Sequence, residues 1–341
     1  MKKIIFLLSF FTCFSCFSAP VSLATFFSEL KTPPKPAPYR CPTITSEDLV
    51  QGGRCVNIQD PKTEKNPHWI YMHLDPSTYD PSRPTVIFES GLGDWSTAWD
   101  SVRLELAKEQ ILDRINLITY DRSNYGKSPI YPTPINTGRT AQMAVDDLRR
   151  ALSLVHVGPD SSSPVGIKPP YILAGHSMGG VYIRLFAREY PQEVSGLLFV
   201  DPAVPEHLDY LNLITAPPIQ GFGVATSDYR YAEGTSLQLS LLQLFYAPPY
   251  PDNIIPDSQG HLKTEFGNLP LTVITAGQPH CEGFTQEQCD RWDAAEKILS
   301  QQSTNGKQVI ATDCPHDIEL CESGIPIITQ ELGKLVTQVG H

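Results

Sequence analysis

The residue of this sequence best placed to do chemistry is a serine between glycines. The segment Gly175-His176-Ser177-Met178-Gly179-Gly180 fits the pattern G-x-S-x-G. An apolar run at residues 171–174 precedes it, and residues 181–190 have the composition of a helix. A tight turn between a strand and a helix lifts the Ser177 hydroxyl above the end of a sheet and presents the Met178 N–H to a developing oxyanion. The segment therefore predicts a serine nucleophile that carries an acyl group.

A serine hydroxyl is a poor nucleophile and needs a base within hydrogen-bond reach. Of the nine histidines, His316 follows the last predicted strand, at the same end of the sheet as Ser177. It also lies between two cysteines, whose disulfide would hold the loop. We expect His316 to be the base, with His280 as the reserve. His176 adjoins the serine, but in a tight turn its side chain is expected to point away from Ser177.

The acid that orients the base should lie between the serine and the histidine in chain order. Asp201 ends the predicted strand that follows the helix at residues 181–190, whereas Glu282 lies in a loop. We favour Asp201, because a strand end holds a side chain more firmly than a loop does, and Glu282 remains the alternative. Asp313 and Asp317 are too near His316 in sequence for this role and are expected to be solvated loop residues.

The second oxyanion donor is expected in the loop that follows the predicted strand at residues 84–88. The candidate is the backbone N–H of Leu92, because the glycines on either side let the chain pass close to a substrate. Asp121 and Arg122 follow a neighbouring strand. We expect them to hold this loop and the rim of the sheet together rather than to take part in the reaction.

The chemistry-bearing residues follow strands of a predicted α/β domain. Residues 51–58 and 68–74 indicate two antiparallel strands. Strands then alternate with helices, which implies a mostly parallel sheet with helices on both faces and a site at the carboxyl ends of the strands. The further strands are predicted at 84–88, 115–120, 171–174, 194–200, 269–276 and 307–311, and the helices at 95–110, 140–157, 181–190, 290–301 and 329–339.

Residues 202–268 interrupt this alternation. They show no strand rhythm, contain several prolines and aromatic residues, and include one leucine-rich helical stretch at 236–245. Such a segment is far longer than an ordinary connection. We therefore predict a cap inserted over the rim, with the core formed by residues 51–201 and 269–341. The apolar character of the cap indicates a lipophilic acyl or alcohol group in the substrate.

The first residues are expected to be a targeting segment rather than part of the fold. Lys2 and Lys3 precede an apolar run at residues 4–17 that small residues follow. This pattern is typical of a secretory signal peptide within residues 1–24, cleaved after residue 18 or 24. A weak lipoprotein pattern around Cys16 is disfavoured. Residues 25–50 are predicted to form a proline-rich arm, and the protein is expected to be secreted or periplasmic.

Six cysteines remain after the predicted signal peptide. An even number in an exported chain indicates disulfides, of which fifteen connectivities can be drawn. The pairing of sequence neighbours is simplest: Cys41–Cys55, Cys281–Cys289 and Cys314–Cys321. The alternative is a zinc site, which is disfavoured because no C-x-x-C pair follows the signal peptide. We expect no metal and no other cofactor.

Composition limits the partners that this chain can have. The formal charge is −11, the apolar content is 41%, and basic residues are not clustered. A nucleic-acid partner is therefore not expected. The expected partner is a small-molecule or lipid-like ester, and membrane association is expected only through such a substrate or through the weak lipoprotein signal.

Taken together, these residues resemble the α/β-hydrolase fold family in its serine-nucleophile branch. The resemblance covers residues 84–340 and implies an eight-stranded sheet and a Ser-His-acid triad. Two features depart from the family pattern. Glu89-Ser90-Gly91 stands where many members have His-Gly, and residues 276–280 lack the Gly-x-x-Asp that usually follows the seventh strand. The second departure favours Asp201, a placement that some members use. The resemblance rests on residues 89–94, 120–122, 125–128, 175–180 and 200–202, and on His316.

The sequence thus predicts an exported hydrolase that cleaves a carboxylic ester through an acyl-enzyme. Amidase, thioesterase and acyltransferase activities would use the same residues and stay open. A non-catalytic binding protein on a hydrolase fold is the remaining alternative. It is disfavoured because such proteins usually lose the serine or the histidine, and this chain has both Ser177 and His316.

Overall fold

A computed structural model describes much of the chain between residues 40 and 340. The predicted signal peptide, most of the predicted arm and cap, and Glu282 and His280 lie outside the described residues. The described residues are 40–41, 44, 52–62, 64, 66–74, 79–129, 141–157, 166–204, 264–277 and 286–340.

The described residues form an eight-stranded sheet, as predicted. Its strand order is β1-β2-β4-β3-β5-β6-β7-β8. The β1–β2 and β2–β4 pairs are antiparallel, and all other pairs are parallel. The sheet is therefore mostly parallel, with an antiparallel edge. The strands are β1 (Gly53–Asn57), β2 (Trp69–His73), β3 (Thr85–Glu89), β4 (Asn116–Asp121), β5 (Tyr171–His176), β6 (Val194–Val200), β7 (Leu271–Ala276) and β8 (Gly306–Ala311).

Helices cover both faces of this sheet. They are α1 (Asp100–Lys108), α2 (Ala141–Leu154), α3 (Met178–Glu189), α4 (Gln286–Ser300) and α5 (Gly324–Val339). The helices α2, α3 and α4 contribute to one buried apolar cluster, and α1 and α5 contribute to the other. Side chains of a strand alternate between the two faces, so Leu173 belongs to the first cluster while Ile172 and Ala174 belong to the second.

Three helices begin earlier than the sequence predicts. Helix α3 begins at Met178 although glycine disfavours helix, because tight packing at the end of the sheet outweighs local propensity. Helix α4 begins four residues before the predicted start. Helix α5 begins at Gly324 and contains Pro326 in its first turn, where a missing N–H removes no intrahelical hydrogen bond. None of the helices that the structure describes is both long and apolar enough to span a bilayer.

Two of the three expected disulfides are present. Cys41 is bonded to Cys55, and Cys314 is bonded to Cys321. The pairing of Cys281 with Cys289 lies outside the residues whose side chains are described. The disulfide near the chain's end closes the loop that carries His316.

Candidate active site

The turn at residues 175–179, called the elbow below, joins β5 to α3 through a strained serine. Ser177 has φ 51° and ψ −121°, a backbone conformation that residues other than glycine rarely adopt. Its N–H donates to the Val200 carbonyl at 3.1 Å, and its own carbonyl accepts from the N–H groups of Gly180 at 2.9 Å and Ala203 at 2.8 Å. The end of β6 therefore holds the strained serine in place.

The glycines two residues before and after Ser177 are required by close backbone contacts. A Cβ at Gly179 would lie 2.4 Å from the carbonyl oxygen of Glu89, and a Cβ at Gly175 would lie 2.6 Å from that of Gly179. Real Cβ atoms do not approach oxygen so closely. The G-x-S-x-G spacing thus lets β3, β5 and α3 meet at the elbow.

The structure brings Ser177, His316 and Asp201 together at the carboxyl ends of the parallel strands. The Nε2 atom of His316 lies 2.9 Å from the Ser177 Oγ, and its Nδ1 atom lies 2.5 Å from the Asp201 Oδ2. The Asp201 side chain is fully buried, while that of His316 is 28% exposed. Because the carboxylate can only accept, the Nδ1 atom carries the proton and leaves Nε2 as an acceptor for the serine hydroxyl.

Asp201 is fixed by the neighbouring strand. Its N–H donates to the Ile274 carbonyl at 2.7 Å, and its Oδ1 atom accepts from the Ala276 N–H at 2.7 Å. Asp201 itself has φ 40°, in the left-handed region. The last residues of β7 therefore aim the other carboxylate oxygen at His316. The alternative acid, Glu282, lies outside the described residues.

The loop after β8 holds His316 at its main chain as well as at its ring. The His316 carbonyl accepts from the Ile318 N–H at 2.9 Å and faces the Nε2 atom of His176 at 3.0 Å. The disulfide between Cys314 and Cys321 closes this loop. Asp313 is exposed, as expected. Asp317 is not the solvated residue that we predicted, because it is half-buried and burial raises the pKa of its carboxyl group.

The loop after β3 lies directly against the elbow. A Cβ at Gly91 would lie 3.3 Å from the Ser177 Cβ, so Leu92, the next residue, is close to the nucleophile. Met178 is the first residue of α3, and the N–H groups at the start of a helix have no intrahelical acceptor. The two candidate oxyanion donors therefore belong to segments that meet at Ser177.

Arg122 ties this loop to the sheet. Its Nη1 atom donates to the Glu89 Oε1 and to the Ser90 carbonyl, both at 2.7 Å, and its Nη2 atom donates to the Gly91 carbonyl at 2.6 Å. The Tyr120 hydroxyl donates to the other Glu89 oxygen. The sequence indicated the bracing role of Arg122 but not its partner Glu89, which the parallel pairing of β3 with β4 brings near.

The Glu89–Arg122 pair is buried, and this makes it sensitive to truncation. Both side chains are at most 6% exposed. Burial raises the pKa of the Glu89 carboxyl, while the charge of Arg122 and the hydrogen bond from Tyr120 oppose that effect. Removal of one partner from such a pair leaves an uncompensated charge in the interior.

We therefore expect Arg122→Met to lower the free energy of unfolding by about 3–5 kcal/mol. Urea unfolding measures this loss. The matched control is Arg149→Met, which breaks the pair that Arg149, 47% exposed, forms with Glu193 at 2.7 Å, and exposed pairs contribute at most about 1 kcal/mol. Equal losses in the two variants would contradict a special role for the buried pair.

Two further buried acids near the site were missed by sequence reasoning. Glu296 on α4 accepts from the Trp292 Nε1 at 2.9 Å, and the Trp292 ring contacts that of His316 edge-on with centroids 5.9 Å apart. Burial, and then the negative charge of Asp201, raise the pKa of the Glu296 carboxyl well above its usual range. Glu319 lies beside His176. The sequence signal that could have indicated a buried Glu296 is an acidic residue on an apolar face of its helix. For Glu319 the sequence gives no such signal.

Two groups of side chains have donor atoms spaced as metal ligands could be. One consists of His176, His316 and Asp317, and the other of Asp94, His176 and Glu319. In each group the ligand atoms lie within 4.8 Å of one another. Both groups depend on His176, whose two ring nitrogens already face the Glu319 carboxylate and the His316 carbonyl.

Comparison with known proteins agrees with this architecture. A family model described as "alpha/beta hydrolase fold" matches residues 84–305. Uncharacterized protein YqjL of Bacillus subtilis is 27% identical over 236 residues, which are 69% of this chain and 77% of that protein. Uncharacterized protein C23C11.06c of Schizosaccharomyces pombe is 21% identical over 313 residues, and the match covers 84% of this chain but only 50% of that protein.

Solved structures with the same fold include several hydrolases. Mouse alpha/beta hydrolase domain-containing protein 10 has a TM-score of 0.52 at 14% identity and covers 84% of this chain and 98% of its own. A structure from work on carboxylesterases of Nitrososphaera gargenis has a TM-score of 0.52 at 15% identity, covering 81% and 98%. A putative lipase from Acinetobacter baumannii has a TM-score of 0.50 at 16% identity, covering 86% and 94%. At such identities the likeness is evidence for the fold alone.

Proposed function

The chain belongs to the alpha/beta hydrolase fold family, and we propose that it is an exported serine hydrolase that cleaves a carboxylic ester. The observation that carries this proposal is the continuous series of contacts from a buried carboxylate to a strained serine. Asp201 faces the Nδ1 atom of His316 at 2.5 Å, and the Nε2 atom faces the Ser177 hydroxyl at 2.9 Å. This is the arrangement that activates a serine.

In the proposed acylation step, the Ser177 oxygen attacks the ester carbonyl carbon as His316 takes the hydroxyl proton at Nε2. The Met178 and Leu92 N–H groups hold the resulting oxyanion, and Asp201 stabilises the imidazolium. The tetrahedral intermediate then breaks its bond to the alkoxy group, which leaves as the alcohol with the proton from His316. An acyl group remains on Ser177.

Deacylation repeats these roles with water as the nucleophile. His316 takes a proton from the water as its oxygen attacks the acyl carbon. The second tetrahedral intermediate returns that proton to the Ser177 oxygen as the acyl–enzyme bond breaks. The products are the carboxylic acid and the free enzyme. The partial exposure of the His316 side chain is compatible with this step, because water must reach it.

The substrate class and the export are argued from the sequence and from the fold relatives. Carboxylesterases and a putative lipase share the fold, and the leucine-rich stretch of the predicted cap favours a lipophilic substrate. The signal-like first residues favour export. The two disulfides agree with it, because disulfides persist mainly in oxidising compartments.

A fluorophosphonate probe tests the proposal directly. The Ser177 oxygen should displace fluoride from phosphorus, and peptide mass analysis should find the label on Ser177. A panel of p-nitrophenyl esters of varied acyl length should be hydrolysed, with matched anilides and thioesters to identify an amidase or a thioesterase. Folded protein that takes no label and turns over no member of the panel would contradict the proposed function.

A further inference from the structure

His176, the residue before the nucleophile, lies in a buried polar contact that the proposed reaction does not use. Its side chain is 1% exposed, and its Nδ1 atom lies 3.0 Å from the Oε1 atom of Glu319, which is also 1% exposed. On the other side its Nε2 atom lies 3.0 Å from the main-chain oxygen of His316. His176 therefore connects the elbow to the loop that carries His316.

The chemistry of the two partners indicates which protons His176 carries. A main-chain oxygen and a carboxylate can only accept hydrogen bonds, so each ring nitrogen that faces one is best served by an N–H. A ring with both N–H groups is the imidazolium cation. The contact with Glu319 is then a buried ion pair, and the contact with His316 is a charge-assisted hydrogen bond.

The groups around His176 favour the same charge state. Burial opposes the cation, but the negative charge of Glu319 and the charges of Asp317 and Asp94 outweigh it and raise the pKa of His176 to about 10. Asp94 is half-buried, and burial and the charge of Glu319 raise its pKa to about 6, opposed by His176 and Arg122. The ring of His316 also faces His176, with centroids 4.8 Å apart.

We propose that His176, held by Glu319, is a positioning residue that fixes the main chain of His316 relative to the Ser177 hydroxyl. This inference rests on the proposed function, because it assigns to His176 the placement of the proposed base. His176 and Ser177 are adjacent in the chain, so a hydrogen bond from the His176 ring to the His316 carbonyl ties nucleophile and base to one rigid segment. Glu319 keeps that ring from turning away.

The loop after β3 also contacts the His176 ring. A Cβ at Gly91 would lie 2.9 Å from the Nδ1 atom of His176, so the ring packs directly on the chain before Leu92. The Glu319 carboxylate lies in the short helix Ile318–Leu320, inside the loop that the Cys314–Cys321 disulfide closes. The His176 ring thus contacts the segments that carry Leu92 and His316, and the residue itself pairs in the sheet with Val200, which directly precedes Asp201.

Substitution of Glu319 tests the positioning role. In Glu319→Ala the His176 ring loses the carboxylate that faces its Nδ1 atom. We therefore expect kcat per active site to fall by about 10- to 100-fold while KM changes less than about 3-fold, as for a misplaced catalytic group. Glu319→Gln should lose less than about 5-fold, since a neutral His176 can donate to His316 and accept from the amide. Active sites are counted with the fluorophosphonate probe.

The matched control is Glu322→Gln, which removes a carboxylate from an exposed position just beyond the same loop. This variant should hydrolyse the ester with the wild-type kcat per labelled site. If Glu319→Ala loses labelled protein but retains the wild-type kcat per labelled site, Glu319 is only structural and the inference is overturned. Activity lost on addition of a chelator and restored by Zn²⁺ would assign the cluster to a bound cation and would overturn it too.

A second measurement does not depend on activity. The pKa of His176 is raised from 6.5 to about 10 in the folded chain, so the folded state keeps a proton that the unfolded chain has released. The contribution of His176 to the free energy of unfolding is fully present below about pH 6.5 and is lost as the pH rises towards 10. The urea midpoint of the wild type should therefore fall over this range, and that of Glu319→Gln should fall less.

Equal pH dependence in the two proteins would overturn the ion pair, and with it the inference. This outcome differs from a failure of the proposed function, which would show as folded wild-type protein that is neither labelled nor active. The unfolding measurement still tests the ion pair in that case. It also remains available if Glu319→Ala does not fold.

Discussion

Replacement of Ser177 by alanine should reduce ester turnover by about 10⁶-fold, since removal of the nucleophile costs as much as removal of the whole triad. Met178 and Leu92 would still offer N–H groups to an oxyanion, so a small rate above that of water should remain. The fluorophosphonate label should disappear. Binding of substrate should change little, because the hydroxyl group makes its main contribution in the transition state.

The matched control for this variant is Ser195→Ala. Ser195 lies near the start of β6, at the opposite end of the strand from Asp201, and its hydroxyl oxygen is buried without a hydrogen-bond partner among the described residues. The fluorophosphonate probe should label this control, and the control should hydrolyse the ester at the wild-type rate. If Ser177→Ala retained turnover, the elbow serine would not be the nucleophile.

Replacement of Asp201 by asparagine should lower kcat by about 10⁴-fold, because the histidine would then hold the wrong tautomer. The structure explains how. The Ala276 N–H needs an acceptor and now finds the Asp201 Oδ1 at 2.7 Å. An asparagine would turn its amide oxygen to that N–H, which leaves its NH₂ group facing the Nδ1 atom of His316. The ring proton would then move to Nε2, which could no longer accept the proton of Ser177.

The kcat values of Asp201→Asn and Glu282→Gln measure this effect. Urea unfolding of each variant is compared with that of the wild type. Glu282→Gln should retain its kcat. The opposite result, with activity lost in Glu282→Gln and kept in Asp201→Asn, would transfer the orienting role to Glu282. A fall in kcat of Asp201→Asn without a fall in its urea midpoint would show that the substitution changes the tautomer of His316 and not the stability of the fold.

The sequence alone determined the features that depend on local patterns. The elbow could be recognised because strand, glycine spacing and helix follow one another within about twenty residues, and backbone contacts between neighbouring segments allow only glycine at two of its positions. The parallel strands could be placed because buried parallel strands are short apolar runs. Helix boundaries were less certain: α5 begins at Gly324, five residues before the predicted start, since the first turn of a helix tolerates glycine and proline.

The tertiary structure decided which distant side chains meet. His316 lies 139 residues from Ser177 in sequence, and only the order of the strands at the rim places its ring beside the serine. The same is true of Asp201, which the sequence favoured over Glu282 because it ends a strand, but whose carboxylate only the fold places beside the Nδ1 atom of His316. The Glu89–Arg122 and His176–Glu319 pairs have no periodicity or spacing that would reveal them. Their charges are stable in the interior only because the fold brings the partners together, so no local rule of the sequence could have predicted them.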